Sequence, residues 1–182
     1  MYYATFHPQH LRFYAADGTD LGTWLDRSAS ERHCKVLDTG KPDGFDVGYI
    51  QYVNFTATGD PILAFRTDGS ERMAVWTGSD WSLGDGPRCP SSDGSDTIFD
   101  IERTGPQSFR LYLGHDEGIQ VFESEDGGQR WKAGDVIRVP VPIRRAVVID
   151  NYLDPLRLLL TEATDWSSFK TDRDVLVAGQ TS

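Results

Sequence analysis

Apolar and polar residues alternate with period two along most of the chain, and turn residues break the alternation at short intervals. The clearest case is Gly48-Tyr49-Ile50-Gln51-Tyr52-Val53-Asn54-Phe55, followed by the turn signal Thr58-Gly59-Asp60-Pro61. That pattern predicts a strand over 48–55, a return strand over Ile62 to Arg66, a third over Arg72 to Trp76, and a weak fourth around Ser82-Leu83 after Gly78-Ser79-Asp80-Trp81. A breaker-rich loop from Gly84 to Asp96 leads to strands at Thr97 to Glu102, Phe109 to Leu113, Gly118 to Glu123 and Val136 to Val139. Arg145 to Ile149, Leu156 to Thr161 and Asp174 to Val177 give most of a further unit. The Leu158-Leu159-Leu160 run has a helical composition, but its length between breakers predicts a strand.

The N-terminal part is less regular. Tyr2 to Phe6 and Leu11 to Ala15 read as short aromatic strands around His7-Pro8-Gln9-His10. Asp17-Gly18 and Leu21-Gly22 turn the chain into a strand at Thr23-Trp24-Leu25, and Lys35-Val36-Leu37 closes the unit. Asp26 to His33 is the one early candidate for a short helical turn.

First strands recur from Tyr49 to Ile98 to Val147, a period of about fifty residues that lies within the range of propeller blades. Each period holds about four strands, as a blade does. The prediction is an all-β chain forming a partial or small β-propeller of about four four-stranded antiparallel blades, in one domain with units near 1–40, 45–90, 94–140 and 143–180. A β-sandwich is the alternative.

Composition narrows the classes. With 182 residues, 38% hydrophobic and 25% charged, the chain is long enough to bury a core without staples. A net charge of −10 argues against nucleic acid or an anionic membrane as partner, because phosphate recognition needs a basic field. Neither a membrane span nor a signal peptide is visible, and the compartment stays unknown. Cys34 and Cys89 lack metal-ligand spacing, so no metal site is expected; two buried free thiols is the default reading and a single disulfide the other. P-loop, dinucleotide, HExxH and GxSxG motifs are absent, and no cofactor is expected.

One turn carries more information. In Ser124-Glu125-Asp126-Gly127-Gly128-Gln129-Arg130-Trp131, Ser124 and Asp126 can turn side-chain oxygens onto backbone N–H groups. The glycine pair allows positive φ, and Trp131 closes the turn with an apolar face. The spacing formed by Ser124, Asp126, Gly128 and Trp131 resembles the Asp-box of sialidase-like BNR-repeat propellers, with Arg130 where Thr is usual. An ordinary acidic, glycine-rich hairpin tip is the plainer reading.

Three stretches extend the likeness: Asp17-Gly18-Thr19-Asp20-Leu21-Gly22, then Gly59-Asp60-Pro61-Ile62-Leu63-Ala64 with Ala74-Val75-Trp76-Thr77-Gly78-Ser79-Asp80-Trp81, then the 124–131 turn. In order, they resemble successive blades of the BNR-4 propellers, which include polysaccharide lyases acting on ulvan-type glycans and related rhamnosidases. Members carry a larger propeller of roughly seven blades, and this chain matches the later half. The family's early Asp-His and Gly-His signatures have no counterpart here, so catalytic residues are unknown and enzymatic activity is left open.

Propeller topology then directs attention to particular residues. If strands alternate in direction, the turn at 124–131 joins a third strand to a fourth, and ligands belong at the opposite strand ends. Those positions are Tyr49, Arg66, Asp93, Asp96, His115, Asp116, Arg144, Arg145 and Glu162, joined by His7 and His10 if Tyr2 to Phe6 is a second strand. Arginine can hold a uronate carboxylate bidentately, and His or Tyr can move the proton at the neighbouring carbon. Each has a plainer reading: Arg66 as a solvated or salt-bridged strand end, Tyr49 as channel packing, His115 as an exposed loop residue. Only one of Arg144 and Arg145 can face a ligand. Trp24, Trp76, Trp81, Trp131 and Trp166 are expected to pack between blades rather than stack on sugars.

The functional expectation is a carbohydrate-associated module binding uronate-containing, anionic polysaccharide, with weak or no catalysis alone. A self-associating half-propeller, pairing as a homodimer or with a second half-propeller chain, is one alternative. An active lyase or glycosidase is another.

Overall fold

In a computed structural model of the chain, residues 1–38, 47–67, 70–87, 98–141, 143–149, 156–162 and 175–179 are described, with backbone alone at 47–49, 67, 70, 98, 99, 144, 156, 162 and 175–179. The protein forms two compact units, Met1–Asp85 and Gly86–Ser182. Four antiparallel sheets follow one another along the sequence, each with its strands in simple neighbour order.

The first unit opens with a small sheet of β1 (Thr5–His7), β2 (Arg12–Tyr14) and β3 (Asp20–Gly22). The third strand therefore lies at Asp20–Gly22 rather than Thr23 to Leu25. Asp20 explains the shift: its carboxylate takes the Gly22 N–H at 2.8 Å and the Arg12 Nε at 2.7 Å, tying the chain to β2 before Thr23 is reached. Helix α1 (Arg27–Ala29) runs into a π-wound turn at Ser30–Cys34, with the Asp26 side chain accepting from the Ala29 N–H at 2.7 Å as N-cap. The expected strand at Lys35 to Leu37 is reduced to an isolated bridge between Tyr2 and Lys35. Backbone bonds from Tyr3 to Cys34 and from Val36 to Met1 hold the two segments side by side.

A four-stranded meander follows: β4 (Val47–Phe55), β5 (Pro61–Thr67), β6 (Ser70–Trp76) and β7 (Trp81–Asp85). Leu63, Phe65 and Ala74 on one face pack with Val36 and Leu37, and Met1, Tyr3 and Trp81 close over them. Burial of Leu63, Phe65, Val36 and Leu37 contributes roughly 1.5–3 kcal/mol each by leaving water. This packing is what attaches the N-terminal segment to the meander.

The second unit repeats the pattern with β8 (Ile98–Arg103), β9 (Phe109–His115), β10 (Gly118–Ser124) and β11 (Lys132–Arg138) in one sheet. The other sheet holds β12 (Ile143–Val148), β13 (Leu156–Glu162) and β14 (Val175–Gly179). The leucine run is thus a strand, as its short span predicts. Alternation along β13 sends Leu158 and Leu160 into a core with Tyr112, Ile119, Val121 and Ala146, while Leu159 points the other way and is 41% exposed. Polar contacts also cross between the two sheets, among them Asp100 accepting the Val148 N–H at 2.7 Å.

Cys34 is buried and free, whereas Cys89 lies outside the described residues. Among the described residues no helix is long and apolar enough to cross a membrane. Trp24 is 79% exposed, against the expectation of packing, and lies in a bend after β3 rather than in a strand. Trp76 and Trp81 meet edge to face at 5.5 Å as cross-strand partners within one sheet rather than between sheets, and Trp81 also meets Tyr3 of the N-terminal segment. Trp131 is half-buried with its indole N–H buried and without a hydrogen-bond partner. Trp166 lies outside the described residues.

Candidate functional site

Strand direction fixes which residues share an end of each sheet. In the β8–β11 sheet, the loop after β8 and the turn after β10 lie together, since Gly127 donates its backbone N–H to the Gln107 carbonyl at 2.9 Å. The turn after β9, with His115 and Asp116, is at the opposite end. In the β4–β7 sheet the corresponding end is where β5 passes into β6, with Arg66 near the end of β5.

The 124–131 turn is built as its residues suggest. The Ser124 hydroxyl, buried, accepts the Gly128 N–H at 3.0 Å and bonds Asp126 Oδ1 at 3.0 Å. Asp126 in turn accepts the Arg130 backbone N–H at 2.9 Å and the Arg130 Nε at 2.7 Å. Burial pushes the Asp126 carboxyl up, but the bonds from Arg130 and Ser124 outweigh it and hold the group below its ordinary value. Gly127 and Gly128 have φ of 72° and 88°, the left-handed region a side chain disfavours.

At the far end of the first unit, Tyr49 and Arg66 are cross-strand partners, and Arg66 is in turn opposite Glu71 on β6. Only the backbone position of Tyr49 is described. Ile62, Ala64, Met73 and Val75 share the Arg66–Glu71 face and are all buried, so the polar pair terminates an apolar surface. Glu71 is 3% exposed. Gln51 reaches it across β5, donating Nε2–H to Glu71 Oε1 at 3.3 Å. Two register irregularities in β4, at Val47/Tyr49 and Ile50/Tyr52, make this reach possible: the second inserts Gln51 as an extra residue and re-aims its side chain. The other amide atom, Gln51 Oε1, is buried with no hydrogen-bond partner. Clean alternation in the sequence conceals both irregularities, which is why Gln51 and Glu71 were not among the expected site residues.

The equivalent end of the second unit is more open. His115 is half-buried; its Nδ1 accepts the Glu117 N–H at 3.1 Å, so a neutral ring offers an Nε2–H donor rather than a base. Asp116 is exposed, and Glu117 pairs with exposed Arg138 at 3.0 Å. Gly118, at φ 141°, has no room for a side chain, since a Cβ would overlap the Ile137 carbonyl oxygen. At the start of β12, Arg145 is exposed, and Arg144 occupies an irregular register position with its side chain outside the described set. The Glu162 side chain, Asp93 and Asp96 also lie outside it.

His7 and His10 flank the turn after β1 and stack at 4.5 Å, with Tyr14 against His7 edge-on. Both imidazoles are exposed. Among the described residues no group of three or more His, Cys, Asp or Glu side chains is placed to hold a metal ion.

A solved structure of a point mutant of the NanB sialidase from Streptococcus pneumoniae matches 86% of this chain, with 15% identity and a TM-score of 0.52. The fold is sialidase-like. The sialidase-like chain described here spans 25% of that protein's length, and at this identity the likeness carries the architecture alone. No protein-family model and no curated protein sequence matches the chain.

Proposed function

We propose that the chain is a carbohydrate-binding module of the BNR-repeat type, recognising uronate-containing polysaccharide at the β5–β6 end of the first unit. The observation that carries this reading is Arg66 at the end of an apolar face, opposite in register the buried Glu71, which Gln51 contacts. An arginine guanidinium matches a sugar carboxylate bidentately, and a charge-assisted bond of this kind is worth about 1.5–3 kcal/mol. Tyr49 is paired with Arg66 in register at the same strand end. In this reading the Ser124–Trp131 turn is an Asp-box, marking the strand ends away from the ligand.

Catalysis by the chain alone is weak or absent in this reading. His115, at the β9–β10 end, presents a donor rather than a base. Incubation with rhamnose–uronate oligosaccharides, followed by calorimetry and by detection of unsaturated uronate, separates the readings. Saturable heat without product supports a binding module; turnover abolished by Arg66→Ala identifies a lyase; neither heat nor product rejects both.

A second reading, self-association, is favoured by one observation. Val147 and Leu159 are direct cross-strand partners on the β12–β14 sheet and are 38% and 41% exposed. Sedimentation of a chain that stays monomeric at high concentration, with its fold intact, counts against it.

A further inference from the structure

The first unit carries a second cluster of cationic side chains, remote in sequence from Arg66 and unrelated to the expected site. Arg27, Ser28, Glu31 and Arg32 line a shallow concavity of about 580 Å³. Arg27 and Arg32 are five residues apart, which on a regular α-helix of 3.6 residues per turn would turn them about 140° away from each other. α1 and the π-wound turn Ser30–Cys34 do not form one regular helix, the wider winding beginning between the two arginines. Both residues border the same hollow.

The local acids are already committed. Glu31 accepts the Tyr2 hydroxyl at 2.6 Å and pairs with Lys35 at 2.9 Å, and these bonds hold its carboxyl below the ordinary range. Asp26 caps α1 through the Ala29 N–H. Neither Arg27 nor Arg32 forms a salt bridge among the described residues. The one side-chain bond of Arg32 is to the Ser28 hydroxyl at 3.4 Å, which steadies the guanidinium and leaves most of its donors open. Glu31 shares the hollow and feels the charge of Arg27, but neither exposed arginine has a carboxylate within ion-pair distance among the described residues, so on a chain of net charge −10 the two form a local cationic spot with donors in fork geometry.

We infer that the concavity lined by Arg27, Ser28 and Arg32 is an oxyanion-binding site for a sulfate group or a carboxylate, the two anions borne by acidic saccharides. Arginine forks match both groups bidentately, and the Ser28 hydroxyl adds one donor. This site does not rest on the Arg66 reading. The exposed setting implies millimolar affinity for a free ion, where several charge-assisted bonds compete with water.

The test is a titration of the whole chain with sodium sulfate and, separately, sodium glucuronate at constant ionic strength, following the arginine Nε–H resonances by NMR. Sodium chloride serves as the matched control. Saturable shifts at Arg27 and Arg32 with either oxyanion support the site, and the responding anion says whether tetrahedral or planar groups are preferred. The double variant Arg27→Gln with Arg32→Gln is expected to weaken binding at least tenfold, while Arg66→Ala leaves it unchanged. Should the glutamine pair melt early, Arg27→Lys with Arg32→Lys keeps the charge but loses the fork, and a several-fold weakening is expected. Linear shifts, an equal response to chloride, or affinity unchanged in the substituted chain would overturn the inference. Because Arg66→Ala abolishes only the other site, failure here is distinguishable from failure of the proposed function.

Discussion

The β5–β6 end of the first unit and the β9–β10 end of the second occupy the same topological position and are built differently. In the first, a carboxylate is 3% exposed and held by an amide that an irregular strand delivers from two strands away. In the second, Glu117 and Arg138 pair in the open, with side chains 59% and 77% exposed. Burial separates the two. A charge withdrawn from water must be held by specific partners, and that requirement fixes geometry; a charge left in water is held loosely and contributes little. The first end therefore holds its carboxylate by a specific buried contact, and the second leaves its charged side chains at a solvated rim.

The sharpest way to break this comparison is to remove a constraint on which one end depends absolutely. Gly118→Ala places a side chain at φ 141° against the Ile137 carbonyl, and a loss of about 3 kcal/mol or more is expected in denaturant unfolding. Stability unchanged by that substitution would mean that the β9–β10 turn is not fixed by its backbone. Next in size is Tyr112→Phe. The Tyr112 hydroxyl donates to Glu102 Oε2 at 2.5 Å in the core, and burial followed by this bond pushes the phenol far above its ordinary range. Stranding the Glu102 carboxylate there is expected to cost about 1–3 kcal/mol.

A smaller effect depends on acidity. The Asp126 carboxyl is held below its ordinary value, so its stabilisation is complete above the unfolded pKa of about 3.9 and is lost as pH falls through the folded value. Asp126→Asn is expected to flatten the acid limb of the stability profile below about pH 4, as read by melting temperature across pH. Smallest of all is Arg138→Ala, which deletes the exposed pair with Glu117 and is expected to shift stability by no more than about 0.5 kcal/mol. A large loss there would erase the contrast between the two ends.

How much of this was legible in the sequence follows the same divide. Strands with one buried face, such as β9 and β10, declare themselves through alternation, because a slip of one residue would expose the whole apolar set. The Leu158-Leu159-Leu160 run resolves as a strand for the same reason, with the middle leucine facing out. The β1–β3 sheet was harder to read: its strands have three residues each, and every residue of β1 is exposed, so no buried face imprints a period. The pairing of Tyr49 with Arg66 was within reach, since both fall at strand ends across a turn. Gln51 and Glu71 were not, because an inserted residue leaves no mark on a sequence that otherwise alternates. The π-wound turn at Ser30–Cys34 escaped in the same way: Asp26 signals the helix start, but nothing in the composition of 30–34 announces the wider winding.

The central claim is that Arg66, beside the buried Glu71, receives a sugar carboxylate. Isothermal titration of the intact chain with a uronate-containing oligosaccharide, wild type against Arg66→Ala, tests it most directly. The account predicts saturable binding that falls at least tenfold in the variant, the equivalent of about 1.4 kcal/mol, with the melting temperature preserved. Equal affinity in the two proteins would contradict it.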